Sequence, residues 1–313
     1  MDAIAVVLKD PEDLVLSRLE LTPPGEADVV VDVEWSGISS GTERLLWTGR
    51  MPAFPGMGYP LVPGYESVGR IASVGPLSGR RVGETVFVPG AACFGSVRGL
   101  FGGAAARLVV PGARATPIAP ELGHQGVLLA LAATAYHAVA APGLALPDLI
   151  VGHGVLGRLL ARIVLLAGGP PPTVWERNPG RRSGGRGYAV VDPDEDARRD
   201  YRCICDASGD PAVLDRLIQR LAPGGEIVLA GFYADPLSFS FPPAFMREAR
   251  IRVAAQWQPA DLEAVRCLAE SGRLSLDGLV THLRDAREAP AAYRTAFADG
   301  DCLKMTLDWR ASA

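Results

Sequence analysis

The chain has 313 residues and a formal net charge of -4. A chain of this length forms one large domain or two of ordinary size, and it can bury a sizeable core. Hydrophobic residues make up 48% of the sequence and charged residues 21%, which is typical of a globular protein. The slightly acidic balance offers no attraction to phosphates, so we predict no nucleic-acid partner.

The sequence predicts a cytoplasmic protein without a transmembrane segment. The N-terminus, MDAIAVVLKDPEDL, lacks the basic start and the small-residue cleavage site of a signal peptide. The longest apolar run, at residues 127–141, is too short to cross a bilayer. The sequence has five cysteines without the spacing of a disulfide framework, which favours a reducing compartment.

From residue 1 to about residue 117 the sequence predicts a β-rich module. Short apolar runs separated by Gly and Pro have the length and composition of strands, and no helical period lasts more than a few turns. These runs are AIAVVL, VVVDVEWSGI, SVGRIASVG, ETVFVP and ARLVVP. Long loops join them, and the loop Met51–Gly64 is stiffened by proline.

From about residue 118 to residue 273, predicted helices and strands alternate. This alternation predicts an α/β domain with a parallel, doubly wound sheet. The tail at residues 274–313 mixes strand and helix, and we expect it to rejoin the first module. The predicted domains are therefore residues 1–117 with 274–313, and residues 118–273.

The clearest motif is a glycine-rich turn between a predicted strand and a predicted helix. Gly152, Gly154 and Gly157 form the pattern G-x-G-x-x-G directly after the apolar run LIV. The first glycine permits a tight turn, the second lets the backbone approach a pyrophosphate, and the third lets the helix lie close to the strand. The N-terminus of that helix, with Val155 and Leu156, is predicted to bind the phosphates of a dinucleotide.

A second predicted strand, Thr173–Trp175, ends in Glu176. An acidic residue about twenty positions beyond the glycines is expected to accept hydrogen bonds from the ribose hydroxyls of the adenosine. A carboxylate there would repel a 2'-phosphate by about 1 to 4 kcal/mol, so Glu176 favours NAD over NADP. Arg177 is the next residue and is expected to lie beside the same ribose, where its charge could offset that repulsion.

The residues around this motif are rich in arginine. Arg158 and Arg162 are four positions apart on the predicted helix, and we expect them to share a solvent-exposed face. The segment Asn178–Gly187, NPGRRSGGRG, replaces the helix expected after the second strand. It predicts a loop beside the adenine, whose arginines contact adenine or a phosphate; a solvated loop without that role is the alternative.

The order of these modules resembles the medium-chain dehydrogenase/reductase superfamily. Three stretches carry the resemblance: SGISSGTE at residues 36–43, PGYESVGRI at residues 63–71 and TAYHA at residues 134–138. The resemblance implies a β-rich GroES-like catalytic domain joined to a Rossmann domain that binds a nicotinamide cofactor. It also implies that the nicotinamide lies against the loops of the first two stretches.

The resemblance further indicates where a catalytic zinc ion would lie in metal-dependent members. The matching positions hold Ser39 or Ser40, Tyr65 and Ala130, and none of these is an ordinary zinc ligand. We therefore predict no metal, and hydroxyl or acid/base groups in its place. The predicted catalytic residues are Thr42, Tyr65, Ser40 (with Ser39 as the other register), Glu66 and His137. As an alternative, Glu66 and the neighbouring Glu43 are structural and pair with Arg44 or Arg70, and His137 has a packing role.

Two longer stretches, residues 36–70 and 229–262, resemble a branch of this superfamily that acts in bacteriochlorophyll biosynthesis. The resemblance implies a bacteriochlorophyllide-type tetrapyrrole as substrate, whose 3-(1-hydroxyethyl) group is oxidised to 3-acetyl with hydride transfer to NAD. The resemblance is also compatible with a cytoplasmic protein that lies at the surface of the photosynthetic membrane. Aromatic side chains in both stretches are expected to contact the macrocycle. The residues predicted for this contact are Trp47, Tyr59, Phe232, Tyr233 and Trp257.

Two other functions stay open at this point. One is a zinc-free quinone or enoyl reductase that uses NADPH, which Glu176 argues against. The other is a nucleotide-binding sensor that has the fold without the chemistry. The sequence does not decide the oligomeric state, and a homodimer is one possibility.

Overall fold

The computed structural model describes residues 1–139, 145–254 and 256–312. The chain divides into two compact units. Unit 1 consists of Met1–Ala130 and Leu276–Ala313, and unit 2 of Leu131–Ser275. The 3-10 helix Pro120–Leu128 belongs to unit 1 and not to the second predicted domain, because its Gly126 lies against Val68 and Ile118 of unit 1.

The strands are β1 (Asp2–Asp10), β2 (Asp13–Glu20), β3 (Asp28–Ile38), β4 (Leu61–Val62), β5 (Ser67–Val74), β6 (Thr85–Val88), β7 (Arg98–Gly99), β8 (Arg107–Pro111), β9 (Thr116–Pro117), β10 (Leu149–Val151), β11 (Thr173–Trp175), β12 (Ala189–Val191), β13 (Tyr201–Asp206), β14 (Leu221–Leu229), β15 (Arg250–Val253), β16 (His282–Asp285) and β17 (Met305–Asp308). The α-helices are α1 (Thr42–Trp47), α2 (Leu129–Val139), α3 (Val155–Leu166), α4 (Leu214–Arg220), α5 (Phe241–Met246), α6 (Pro259–Glu270) and α7 (Ala289–Ala298).

Unit 1 is organised around β3, the strand of the sequence VVVDVEWSGI. All of its β-branched residues are buried, so the strand lies within the sheet and not at its edge. The strand order is β16-β17-β3-β5-β6-β9, and β8 also pairs with β3. The C-terminal tail therefore returns to the first module through β17, as predicted, and completes its sheet.

The register of β3 determines which loops meet at its C-terminal end. Ser36 lies opposite Ser67 at the start of β5, and Ile38 lies opposite Met305 at the start of β17. The residues just before β5 and β17 therefore lie beside the loop that follows β3. Those residues are Tyr65, Glu66 and Lys304.

Strand β2 was not predicted from the sequence. It forms an antiparallel hairpin with β1, and most of its residues are half-buried or exposed. Glu12, in the turn, has a φ of 64°, a left-handed conformation that non-glycine residues rarely adopt. Because few side chains of β2 are buried and the turn lacks glycine, the sequence carries little strand or hairpin signal there.

Unit 2 confirms the predicted parallel, doubly wound sheet. Its strand order is β12-β11-β10-β13-β14-β15, and every pairing between these strands is parallel. The order reverses between β10 and β13, which is the switch point where such sheets bind ligands at the carboxyl ends of their strands. The glycine-rich turn follows β10 at this point. The end of the apolar run at residues 127–141 lies outside the described residues.

The prediction that Arg158 and Arg162 share a solvent-exposed face is wrong. Both side chains are buried, with exposed fractions of 6% and 7%. The Arg162 guanidinium donates to the carbonyl oxygen of Ser275 at 2.6 Å. The Arg158 guanidinium is surrounded by carbonyl oxygens, including those of His153 at 3.0 Å and Ser183 at 2.9 Å. Arginine is tolerated there because the irregular loop after β11 exposes carbonyl groups that need donors.

Candidate active site

A cluster of hydroxyl groups lies in the loop after β3. The Tyr65 hydroxyl donates to Ser39 Oγ at 2.9 Å, and the Thr42 backbone N–H donates to the same oxygen at 3.3 Å. Ser39 is buried and Tyr65 is half-buried. The structure thus brings together Ser39, Thr42 and Tyr65, which the sequence placed in two separate loops.

The two possible registers of the serine are distinguished by burial. Ser40, the serine predicted to be catalytic, is exposed, whereas Ser39 has an exposed fraction of 5% and contacts Tyr65. The structure therefore favours Ser39 as the serine of this cluster. The sequence could not distinguish them because an extra residue relative to the family pattern makes either alignment possible.

The surroundings of Tyr65 favour its neutral form. Burial raises the pKa of Tyr65, the nearby carboxyl groups of Glu66 and Glu43 raise it further, and hydrogen bonds with Ser39 and Thr42 only partly oppose them. The pKa of this phenol therefore lies well above its usual value of about 10. Tyr65 is thus suited to donate a hydrogen bond, and its phenolate form is disfavoured as a base.

Glu43 is buried beneath this cluster. Its Oε1 accepts a hydrogen bond from the Ser39 N–H at 3.0 Å, and its Oε2 accepts one from the Tyr293 hydroxyl at 2.7 Å. These partners replace the predicted pairing with Arg44 or Arg70. Burial raises the pKa of Glu43 to about 7, and the charge of nearby Glu66 adds to the increase. Hydrogen bonds from Ser39 and Tyr293 lower it less strongly.

Glu66 forms a buried ion pair with Lys304. The Lys304 Nζ lies 2.7 Å from Glu66 Oε2 and 3.0 Å from Oε1. The Glu66 side chain is 0% exposed and the Lys304 side chain 2%. Burial raises the pKa of Glu66, and the Lys304 ammonium opposes that increase. A Cβ on Gly37 would lie 2.1 Å from Glu66 Oε2, so a larger residue there would displace the Glu66 carboxylate.

Lys304 and Tyr293 were not among the residues identified from the sequence. The sequence does contain a signal that Lys304 is special. The chain has only two lysines among many arginines, and Lys304 lies inside the apolar run LKMTLDW. A lysine kept in such a run usually has a buried partner. Phe101 was also missed; its ring packs edge-on against Tyr65 with centroids 5.6 Å apart.

The glycine-rich turn in unit 2 has the geometry expected of a dinucleotide site. Gly152 has a φ of 97°, and a Cβ on Gly157 would lie 1.8 Å from the Gly152 carbonyl oxygen. A Cβ on Gly154 would meet none of the described atoms within 4 Å. The space above Gly154 and the N-terminus of α3, with Val155 and Leu156, is therefore open to a phosphate group.

Glu176 lies at the end of β11 with its carboxylate already oriented. It accepts hydrogen bonds from the N–H groups of His153 at 3.1 Å and Asn178 at 2.8 Å. A carboxylate has about four acceptor positions, so it can still receive ribose hydroxyls. Arg177 is exposed beside it.

The arginines of the loop Asn178–Gly187 mostly contact the protein itself. Arg182 pairs with Asp192 and donates to the Glu176 carbonyl oxygen at 2.9 Å, and Arg186 donates to Ser275 Oγ at 2.9 Å. Buried Arg158 also donates to the Arg181 carbonyl oxygen. The arginines therefore hold the loop in place, which supports the alternative in which the loop has no direct role toward adenine.

His137 lies on α2 in unit 2, whereas Tyr65 and Ser39 belong to unit 1. Its Nδ1 is 2.8 Å from Asp261 Oδ2, in the first turn of α6. This contact joins the C-terminal end of one helix to the N-terminal end of another, where both helix dipoles favour the pair. The predicted catalytic role of His137 stays a prediction beside this packing role.

The aromatic residues predicted to contact a substrate fall into two groups. Trp47 and Tyr59 pack on the core of unit 1, and the Tyr59 hydroxyl donates to the Leu46 carbonyl oxygen. In unit 2, the Tyr233 hydroxyl donates to Asp206 Oδ2 at 2.5 Å, and Phe232 is 52% exposed. Trp257 is half-buried in the same unit.

Unit 2 also carries an exposed apolar groove of about 450 Å³. It is lined by Phe239, Phe241, Phe245, Met246 and Ile251, among others. The rings of Phe241 and Phe245 are 5.8 Å apart. Phe241, Phe245 and Met246 are 67%, 66% and 77% exposed, so the groove faces solvent.

Comparison with known proteins identifies the family. Residues 25–120 match the model of the alcohol dehydrogenase GroES-like domain. The 2-desacetyl-2-hydroxyethyl bacteriochlorophyllide A dehydrogenase of Rhodobacter capsulatus is 60% identical over 99% of this chain and 99% of its own length. The chain belongs to this dehydrogenase family. The enzyme of the same name from Cereibacter sphaeroides is 59% identical and is matched over 100% of both chains.

Solved structures show the same fold. An alcohol dehydrogenase of E. coli, solved with NADH, has a TM-score of 0.82 at 22% identity, covering 98% of this chain and 99% of its own. The 2R,3R-butanediol dehydrogenase of Bacillus subtilis has a TM-score of 0.83 at 21% identity with the same coverage. These comparisons confirm the predicted resemblance to the medium-chain dehydrogenase/reductase superfamily.

The residues at the expected metal position do not suit zinc. Ser39 and Tyr65 offer hydroxyls and Ala130 offers no donor, whereas catalytic zinc takes imidazole, thiolate or carboxylate ligands. Across residues 1–139, 145–254 and 256–312, no group of three or more His, Cys, Asp or Glu residues could hold a metal ion. In the same ranges, no helix combines the length and apolar character needed to traverse a bilayer.

The open space at Gly154 gives a first test. Gly157→Ala should destabilise unit 2 by about 1–3 kcal/mol, because the new methyl group overlaps the Gly152 carbonyl. Gly154→Ala should change stability by less than about 0.5 kcal/mol. It should nevertheless weaken NADH binding, since its methyl group occupies the space above the helix N-terminus. Urea denaturation and fluorescence titration measure the two effects, and equal behaviour of the variants would contradict this assignment.

The raised pKa of Glu43 gives a second test. The folded protein keeps a proton on Glu43 up to a pH of about 7, whereas the unfolded chain releases it near 4.5. The stabilisation from Glu43 is thus present at low pH and declines as the pH rises from about 4.5 to about 7, by up to about 3 kcal/mol. Glu43→Gln does not titrate, so the variant should gain this amount relative to the wild type across that window. Urea denaturation at several pH values checks it, and a pH-independent difference would refute it.

Proposed function

We propose that this protein oxidises the 3-(1-hydroxyethyl) group of bacteriochlorophyllide a to a 3-acetyl group, with NAD as the hydride acceptor. The observation that carries the proposal is the 60% identity over 99% of both chains to the R. capsulatus dehydrogenase named for this substrate. The protein is therefore an oxidoreductase that acts on a CH–OH group.

Residues in unit 2 are suited to bind NAD. The helix N-terminus after Gly154 offers backbone N–H groups to the pyrophosphate, and Glu176 can accept the ribose hydroxyls. The Glu176 carboxylate would repel a 2'-phosphate, which supports NAD over NADP. When bound, the cofactor supplies the acceptor for the hydride that leaves the alcohol carbon.

The hydroxyl cluster is suited to hold the substrate oxygen. Ser39 Oγ accepts hydrogen bonds from Tyr65 and Thr42, so both of its acceptor positions are used. Its own hydroxyl proton has no acceptor among the described residues and is available to the substrate. Two accepted hydrogen bonds polarise the Ser39 O–H and strengthen it as a donor.

This arrangement provides what a Lewis acid provides in zinc-dependent relatives. The alcohol loses its hydroxyl proton to solvent as well as its hydride to the cofactor. Negative charge develops on the substrate oxygen as the proton leaves, and a fixed O–H donor stabilises that charge until the hydride moves and the carbonyl forms. Tyr65 remains protonated because its pKa is raised, so it supports Ser39 throughout the reaction. We therefore propose Ser39 as the residue that contacts the reacting oxygen, with Tyr65 and Thr42 holding it.

The activity can be tested by absorption spectroscopy. Incubation of the purified protein with NAD and 3-(1-hydroxyethyl)bacteriochlorophyllide a should shift the macrocycle absorption to the red, as the conjugated acetyl group forms, with NADH produced in equal amount. The ratio kcat/KM should be at least about tenfold lower with NADP. NADH binding without any spectral shift would contradict the dehydrogenase function and favour a nucleotide sensor. Turnover of quinones with NADPH would favour a reductase.

Neighbouring serines provide a matched pair for the mechanism. Ser39→Ala should lower kcat by about 10²- to 10³-fold, because it removes the donor to the developing oxyanion. Ser40→Ala, at an exposed position next to it, should leave kcat within about twofold of the wild type. Tyr65→Phe should lower kcat by about 10- to 100-fold. Equal rates for Ser39→Ala and Ser40→Ala would exclude Ser39 as the oxygen-contacting residue.

A further inference from the structure

One peptide unit, between Ile38 and Ser39, is bound from both sides by buried ionisable side chains. Its carbonyl oxygen, on Ile38, accepts a hydrogen bond from Lys304 Nζ at 3.2 Å. Its N–H, on Ser39, donates to Glu43 Oε1 at 3.0 Å. The peptide bond is planar, so fixing both of these groups fixes the orientation of the whole unit.

The C-terminal segment provides one anchor, Lys304, and the residue that orients the other anchor, Tyr293. Lys304 directly precedes β17, whose Met305 lies opposite Ile38, and its ammonium is held in place by Glu66. Tyr293, on α7, donates its hydroxyl to Glu43 Oε2 at 2.7 Å and so orients the carboxylate that binds Ser39. Tyr293 is fully buried, as is Glu66, and Lys304 and Glu43 are nearly so.

The orientation of this peptide determines where the Ser39 hydroxyl lies. The Cα of Ser39 is part of the peptide plane, so rotation of the plane would carry Cβ and Oγ with it. In the present orientation of the plane, Oγ lies 2.9 Å from the Tyr65 hydroxyl and 3.3 Å from the Thr42 backbone nitrogen. Movement of about 1 Å in such a group is enough to reduce a reaction rate strongly.

We propose that Lys304 and Tyr293 are positioning residues for the Ser39 hydroxyl, acting through the Ile38–Ser39 peptide. This inference rests on the proposed function, in which Ser39 contacts the substrate oxygen. A buried ion pair is seldom a net source of stability compared with apolar residues, so stability alone gives a weak reason for the Glu66–Lys304 pair. Control over the geometry of Ser39 gives a stronger one.

The proposal is tested first with Tyr293→Phe, which removes one hydroxyl and keeps the buried ring. We expect kcat to fall by about tenfold, the value of one lost hydrogen bond, while KM for both substrates stays within about twofold. Tyr201→Phe is the matched control: Tyr201 is also buried and donates to a carboxylate, Asp196, at 2.7 Å, but belongs to unit 2. It should leave kcat unchanged.

The ion pair is tested with Lys304→Arg and with the double variant Lys304→Met/Glu66→Gln, which leaves no lone buried charge. We expect a fall in kcat of about tenfold or more for the double variant and partial recovery for Lys304→Arg, which keeps the positive charge. If the double variant folds and has the kcat of the wild type, Lys304 is a structural residue and the proposal is wrong.

The pH profile separates positioning from a general loss of stability. Glu43 faces Ser39, Tyr293, Glu66 and Lys304, and its hydrogen bond from Tyr293 lowers its pKa. Tyr293→Phe should therefore move any step in the kcat profile near neutral pH to higher pH, whereas Tyr201→Phe should not move it. Unchanged profiles in both variants would contradict the link between Tyr293 and Ser39.

A measurement independent of turnover distinguishes failure of this inference from failure of the proposed function. Hydrogen exchange of the Ser39 amide should be slow in the wild type and at least about tenfold faster in Tyr293→Phe, with no change in Tyr201→Phe. If the wild type has no dehydrogenase activity but this pattern is seen, the peptide is held as described and the proposed function is wrong. If the amide exchanges equally in all three proteins, the positioning role is wrong.

Discussion

The register of β3 is the constraint on which the candidate site depends. This strand pairs with β5 on one side and β17 on the other, so segments distant in sequence end beside the same loop. The pairing brings Tyr65 and Glu66 from before β5, and Lys304 from before β17, to the residues that follow Ile38. A shift by one residue would turn these side chains to the opposite face of the sheet. Burial of the β-branched residues of β3 against the core opposes such a shift.

In the proposed mechanism, neutral hydroxyls are held in place by buried ionisable side chains. Glu43, Glu66 and Lys304 lie behind Ser39 and Tyr65, and they act on the backbone and on pKa values. In zinc-dependent relatives a metal ion would fix the substrate oxygen by direct coordination. In the mechanism proposed for this chain, the backbone of the β3 loop has to be rigid instead, because a hydroxyl donor is effective only when its direction is fixed.

The fold and the geometry of the glycine-rich turn were more predictable from the sequence than the hydroxyl cluster. The parallel sheet and the G-x-G-x-x-G turn are local features, in which strand, turn and helix are consecutive, so spacing alone identifies them. The Ser39 cluster joins residues separated by up to 266 positions, as in the contact from Lys304 to Ile38, and no local pattern encodes such a contact. The prediction that Arg158 is exposed was wrong for another reason. Helical spacing predicted a polar face in contact with water, but carbonyl groups of the protein accept the hydrogen bonds of Arg158 instead.

The burial of Lys304 has a practical consequence for chemical modification of this protein. The sequence contains two lysines, and the other one, Lys9, is exposed near the end of β1. Of the two lysines, reagents that acylate amines would therefore react with Lys9. Labels, cross-linkers or solid supports attached through lysine would be confined to β1. They would leave the ammonium group beside Glu66 unmodified for as long as unit 1 stays folded.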